Sequence, residues 1–105
     1  MLWIDRPLIE AAVSAYAAQL RARAGVQRIV WYGSWITGEP GPRSDVDLCI
    51  VVEASALPIR QRAPDFLPFG FPTGLDLVVL TREEWLRLPE VAPSWHAAIE
   101  AGVEL

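Results

Sequence analysis

Apolar positions recur along this chain in two rhythms. Between Pro7 and Arg23 they fall at Leu8, Ala11, Ala12, Ala15, Tyr16 and Leu20, the spacing of one helical face, while Glu10, Arg21 and Arg23 lie elsewhere. Pro7 suits a first helical turn and Gly25 a stop. From Val26 to Tyr32 the chain becomes a short run rich in β-branched and aromatic residues, which predicts a buried strand ended by Gly33-Ser34. Ser34 to Thr37 predicts a short helical turn, followed by the breaker-rich Gly38-Glu39-Pro40-Gly41-Pro42. Asp45 to Val52 and Asp76 to Leu80 read as second and third strands. Thr81, with Glu84 three residues on, predicts a capped helix that Pro89 and Pro93 interrupt. Ser94 predicts the cap of a last helix through Ala101, stopped by Gly102. The stretch from Ala54 to Gly74 holds Pro58, Pro64, Pro68 and Pro72 with Phe66, Phe69 and Phe71. A connection this long is either functional or contains an element its pattern does not reveal.

Together these elements predict an α/β (α+β) fold: a small mixed β-sheet with helices packed mainly on one face, and a single domain over residues 1–105. Apolar residues make up 52% and charged residues 21%, a globular balance rather than a disordered one. The net charge of -4 argues against a general nucleic-acid binder, which needs a basic face. A phosphorylated substrate remains compatible, because metal ions can mask local acid. All of the basic residues are arginine. Cys49 stands alone, so no disulfide framework and no cysteine-rich zinc site is expected, and it reads as a small core residue. No apolar run is long enough for a spanning helix and the N-terminus lacks a signal-peptide layout, so the expectation is a cytoplasmic protein without a membrane segment.

The chemistry concentrates in three carboxylates set among apolar strand residues. Residues two apart on a strand share a face, so Asp45 and Asp47 project together while Val46 and Leu48 turn to the core. If the third strand pairs beside the second, Asp76 joins them, with Leu75 and Leu77 opposite. Three carboxylates on one face need a counter-charge. Mg²⁺ suits them, since it takes oxygen ligands from a few carboxylates and substrate phosphates. Gly33-Ser34 supplies the complement: a glycine lets backbone approach a ligand, and a helix beginning at Ser34 offers N–H groups to an anion.

Gly33-Ser34, then Gly38, then Ser44-Asp45-Val46-Asp47-Leu48, then Leu75-Asp76-Leu77 resembles the DNA polymerase beta-like nucleotidyltransferase superfamily. The likeness runs from about Val26 to Leu80 and is nearest to the minimal nucleotidyltransferase branch, often the antitoxin partner of a HEPN-domain protein. The resemblance implies Mg²⁺, with two ions when substrate is bound, held by Asp45, Asp47 and Asp76. It implies ATP as donor, Gly33 and Ser34 against the triphosphate, and AMP transferred to a hydroxyl, such as a tyrosine of a HEPN-domain partner. Relatives of this branch often carry Arg where Trp35 and Thr37 stand here; Arg43, Arg60 or Arg62 are the candidates to replace that charge.

Other residues read more plainly. Ser44 has no nearby base and reads as a hydrogen-bonding residue beside Asp45 within the nucleotide-binding set. His96 lacks a spaced partner and reads as packing or surface. Arg60 and Arg62 divide between a solvated loop and a phosphate contact. The Phe residues of the long stretch, with Trp3, Trp85 and Trp95, could cover the sheet or meet a partner, and a homo-oligomer is open. The alternative function is a non-catalytic module that neutralises a partner protein by contact; a metal-dependent phosphohydrolase is a third.

Overall fold

The computed structural model describes residues 5–38 and 45–105. Helix α1 (Arg6–Arg21) begins where Asp5 accepts a hydrogen bond from the Leu8 amide at 3.0 Å, satisfying a helix-start donor, with Pro7 in the first turn. Its buried face is Ile9, Val13, Tyr16, Ala17 and Leu20. The predicted face held Tyr16 and Leu20 but was rotated elsewhere: Leu8 is exposed, and Ile9 and Val13 do the packing. Strand β1 (Val26–Tyr32) leads through Gly33 into the short helix α2 (Ser34–Thr37). Strand β2 (Val46–Val52) starts one residue after Asp45, and β3 spans Leu75–Thr81. Helices α3 (Arg82–Val91) and α4 (Pro93–Glu100) follow, and a two-residue strand β4 (Val103–Glu104) closes the order.

The sheet runs β3-β2-β1-β4, with β2 parallel to β3 and β1 antiparallel to both β2 and β4. The α/β class with a small mixed sheet is therefore as expected. The helices are shared between both faces instead of lying mainly on one. Leu48, Ile50 and Val79 pack with α1 and Trp35 on one side. Cys49, Val51 and Leu80 pack with Leu88 and Ile99 of α3 and α4 on the other. A strand apolar on both faces must be covered on both, at roughly 1.5–3 kcal/mol for each large apolar side chain buried. The aspartate-bearing end of β2 lies on the α3/α4 side, so that face is only partly open.

Thr81 caps α3 as its sequence predicts: its hydroxyl accepts from the Glu84 amide at 3.2 Å, and the Glu84 carboxylate accepts from the Thr81 amide at 2.8 Å. Pro89 does not interrupt α3, which continues to Val91 and closes through the Ala92 amide on the Leu88 carbonyl at 2.8 Å. Pro93 instead starts α4, a position where its missing N–H costs nothing.

The long stretch contains two 3-10 turns, Ile59–Gln61 and Ala63–Phe66. Arg62 between them is 5% exposed and ties the stretch down. Its guanidinium donates to the Leu57 carbonyl at 2.8 Å, the Val79 carbonyl at 3.0 Å and both Glu84 oxygens. Tyr16 adds a second tie through its hydroxyl to the Phe66 carbonyl. Among the described residues no helix is long and apolar enough to cross a membrane.

Candidate active site

The site forms where β1 ends and where β2 and β3 begin. In the parallel ladder, Asp47 is the register partner of Asp76, and Val46 of Leu75. Partners in register share a face, so the two carboxylates stand side by side. Asp45 lies just before β2, and the Val46 amide donates to the Gly74 carbonyl at 2.9 Å. This bond joins the first turns of both strands and sets Asp45 against the Gly74 backbone. A Cβ placed on Gly74 would overlap the Asp45 carboxylate.

Gly33 makes the matching approach from β1. It has φ +87°, a conformation that favours glycine, and a Cβ there would overlap the Asp47 carboxylate. Its carbonyl accepts from the Ile36 and Thr37 amides, both at 3.0 Å, which folds α2 directly over the end of β1. Ser34 is the first residue of that helix, where an N–H has no intrahelical acceptor. Tyr32 is the antiparallel partner of Asp47 and lies on the same face; the indole of Trp95 in α4 donates to its hydroxyl at 3.4 Å.

The electrostatics follow from this crowding. Burial pushes the Asp47 carboxyl above its usual range, and the charges of Asp76 and Asp45 push the same way. The Tyr32 phenol is raised by burial first, eased by Trp95, and raised further by Asp47 and Asp76. Among the described residues, no arginine or histidine forms a salt bridge with any of the three aspartates. Among the described residues, the site is an acidic cluster without a salt-bridged counter-charge, beside a glycine-lined backbone.

That donor set fits a divalent cation in chemistry: hard carboxylate oxygens, crowded, with no salt-bridged arginine or histidine among the described residues. It is not a closed cage. Among the described residues, no group of three or more His, Cys, Asp or Glu stands ready to hold a metal ion. An ion that draws its remaining ligands from water and substrate phosphates, as Mg²⁺ does, requires no such cage.

Of the residues singled out in the sequence, Asp45, Asp47, Asp76, Gly33 and Ser34 converge here. Ser44 and Arg43, together with Trp3, lie outside the described residues. Arg62 is a correction: as a phosphate contact it is excluded, because its guanidinium is buried and committed to Leu57, Val79 and Glu84. Trp35 is a core residue at 5% exposure, tilted against Trp31, and the Arg6 guanidinium stacks on it at 4.9 Å. The Thr37 hydroxyl turns back to the Gly33 carbonyl at 3.2 Å. His96 packs on Trp85 with ring centroids 5.0 Å apart, the packing role its sequence suggests. Gly74, Tyr32 and Trp95 are additions. Only Gly74 had a signal in the sequence, as a glycine two residues ahead of Asp76.

A model of the nucleotidyltransferase domain matches residues 13–92, which carry Tyr32, Gly33, Ser34, Asp45, Asp47, Gly74 and Asp76. The chain belongs to the nucleotidyltransferase domain family. A crystal structure from Sulfolobus solfataricus, provisionally described as a nucleotidyltransferase, shares the fold: TM-score 0.54 at 18% identity, covering 93% of this chain and 76% of that one. A search of curated proteins returned no match. Membership in the nucleotidyltransferase domain family makes this, at a coarse level, a transferase of nucleotidyl groups.

Proposed function

We propose that the chain transfers AMP from ATP to a hydroxyl acceptor in a Mg²⁺-dependent reaction: the acceptor oxygen bonds to the α-phosphorus as the bond to the β-phosphate breaks and pyrophosphate leaves. The observation that carries the reading is the register pairing of Asp47 with Asp76 and the close approach of Gly33 to Asp47. Acids and phosphate-approachable backbone thus occupy one face. Asp45, Asp47 and Asp76 would hold Mg²⁺, which on binding supplies positive charge to the triphosphate and lowers the pKa of an acceptor hydroxyl. Gly33 and the Ser34 amide orient phosphate oxygens. Asp76 lies at the exposed edge of the pair, where it can accept the proton of the acceptor hydroxyl. The sequence resemblance favours a tyrosine of a HEPN-domain partner as acceptor, in a minimal nucleotidyltransferase of a toxin–antitoxin pair.

The test is incubation with α-labelled ATP, Mg²⁺ and the product of the neighbouring gene. Label should move to the partner with the wild-type chain and not with Asp45→Asn/Asp47→Asn. No transfer by wild type in the presence of a bound partner refutes catalysis.

One observation favours a second reading, a non-catalytic module that neutralises a partner by contact. Helix α2 carries no basic side chain, and Trp35 and Thr37 are turned to the core and to Gly33. A tight complex that forms equally well with the double Asn variant, without label transfer, selects this reading.

A further inference from the structure

Tyr32 occupies a place in this site that neither the metal nor the phosphate cradle explains. It stands opposite Asp47 across the β1/β2 ladder, so its phenol lies on the carboxylate face. Trp95 reaches it from α4, the only described side chain that bonds its hydroxyl, and does so as a donor at 3.4 Å. An indole N–H can only donate, so the phenol oxygen is the acceptor and its own hydrogen is left to give. No described residue takes that hydrogen. Phenols ionise near pH 10, so at neutral pH Tyr32 is a donor and not a base.

The surroundings define what could accept. Asp45, Asp47 and Asp76 are acceptors when ionised, and so are the oxygens of a nucleotide. Among the described residues, side-chain donors beside them are few: α2 carries no basic residue, and the Thr37 hydroxyl is bonded to Gly33. Tyr32 adds a neutral, directed O–H to the acids, the backbone amides and the Ser34 hydroxyl that the described residues bring to the site.

We propose that Tyr32 is a substrate-contacting residue, its phenol O–H donating to an oxygen of the nucleotide seated over Asp47 and Asp76, with the Trp95 indole fixing its direction. This rests on the proposed function and deepens it. Tyr32 is the binding group; Trp95 is a positioning residue acting through it.

Tyr32→Phe keeps the ring and removes only the hydroxyl. Calorimetric titration with a non-hydrolysable ATP analogue in Mg²⁺ should show affinity reduced on the order of tenfold, the loss expected for a hydrogen bond to a charged acceptor. Mg²⁺ binding without nucleotide and the melting temperature should be unchanged, which separates a contact from a structural role. Trp95→Phe should lose part of that affinity, and the double variant should be no worse than Tyr32→Phe alone. In turnover assays the loss should appear in KM for ATP and not in KM for the acceptor. Tyr32→Phe binding as tightly as wild type overturns the contact while leaving the proposed function standing. Equal losses of Mg²⁺ and nucleotide binding overturn it in favour of a structural role. Additive losses in the double variant overturn the positioning role of Trp95. If the wild type itself binds no nucleotide, the contact and the proposed function fall together.

Discussion

Asp47 and Asp76 are register partners on neighbouring parallel strands, and both project from the face on which Gly33 meets Asp47. Asp47 is half-buried and loses hydration, while the charge of the exposed Asp76 beside it repels its own. The fold therefore disfavours the charged form of Asp47.

That effect has a sign. The Asp47 carboxyl is raised in the folded chain, by burial first and then by Asp76 and Asp45. The folded state then binds the proton more tightly than the unfolded state, so stability is lost as pH rises from about 3.8 through the raised value. Asp47→Asn should melt several degrees above wild type at neutral pH. The advantage should vanish at a pH below the ordinary carboxylate range. Thermal melts at both pH values check this, and a lower melting temperature for Asp47→Asn at neutral pH contradicts it.

Glu84 behaves oppositely. Its hydrogen bonds from Arg62 hold the carboxyl below the usual range, aided by the Thr81 amide. A depressed folded pKa contributes stability present above about pH 4.5 and lost as pH falls below it through the folded value. Wild type should lose stability in that acid window, and Glu84→Gln should show a shallower loss there. The Glu84 side chain is 40% exposed, so the difference should be modest.

Gly74 tests the geometry apart from the charge. Gly74→Ala places a methyl where the Asp45 carboxylate lies, while leaving every acid in the sequence. Displacing a catalytic ligand by about an ångström costs on the order of a hundredfold in rate. Label transfer should fall by that order while circular dichroism stays that of the folded chain. Full activity in Gly74→Ala would show that Asp45 is not held for function.

Arg62 is predicted to matter for stability and not for nucleotide. Arg62→Leu removes the hydrogen bonds to three residues at once and strands the Leu57 and Val79 carbonyls. Denaturant unfolding should show a loss of roughly 2–4 kcal/mol, as for breaking a buried charged network. Nucleotide affinity of the folded fraction should be unchanged. A large affinity loss at full stability would return Arg62 to the site.

Much of the arrangement was legible in the chain. Asp45-Val46-Asp47-Leu48 and Leu75-Asp76-Leu77 announce their faces through alternation, because strand period is fixed at two. Gly33 announces a close approach, and Thr81 with Glu84 announces a helix start. Local patterns fail where tertiary packing decides. Nothing near Arg62 signals that its guanidinium threads to the β3 backbone, and nothing near Tyr32 signals Trp95, which lies 63 residues away. The Pro89 expectation failed because the packing of Leu88 and the closing bond of Ala92 carry the helix past a missing donor. Strand β4 is only two residues long and leaves no periodicity to read.

The most direct measurement is calorimetric titration of a non-hydrolysable ATP analogue, with and without Mg²⁺, into wild type and Asp45→Asn/Asp47→Asn. Saturable binding that requires Mg²⁺ in wild type and is absent from a folded double variant is the predicted result. Equal binding by both chains, or wild-type binding indifferent to Mg²⁺, contradicts the assignment of these aspartates as the metal site.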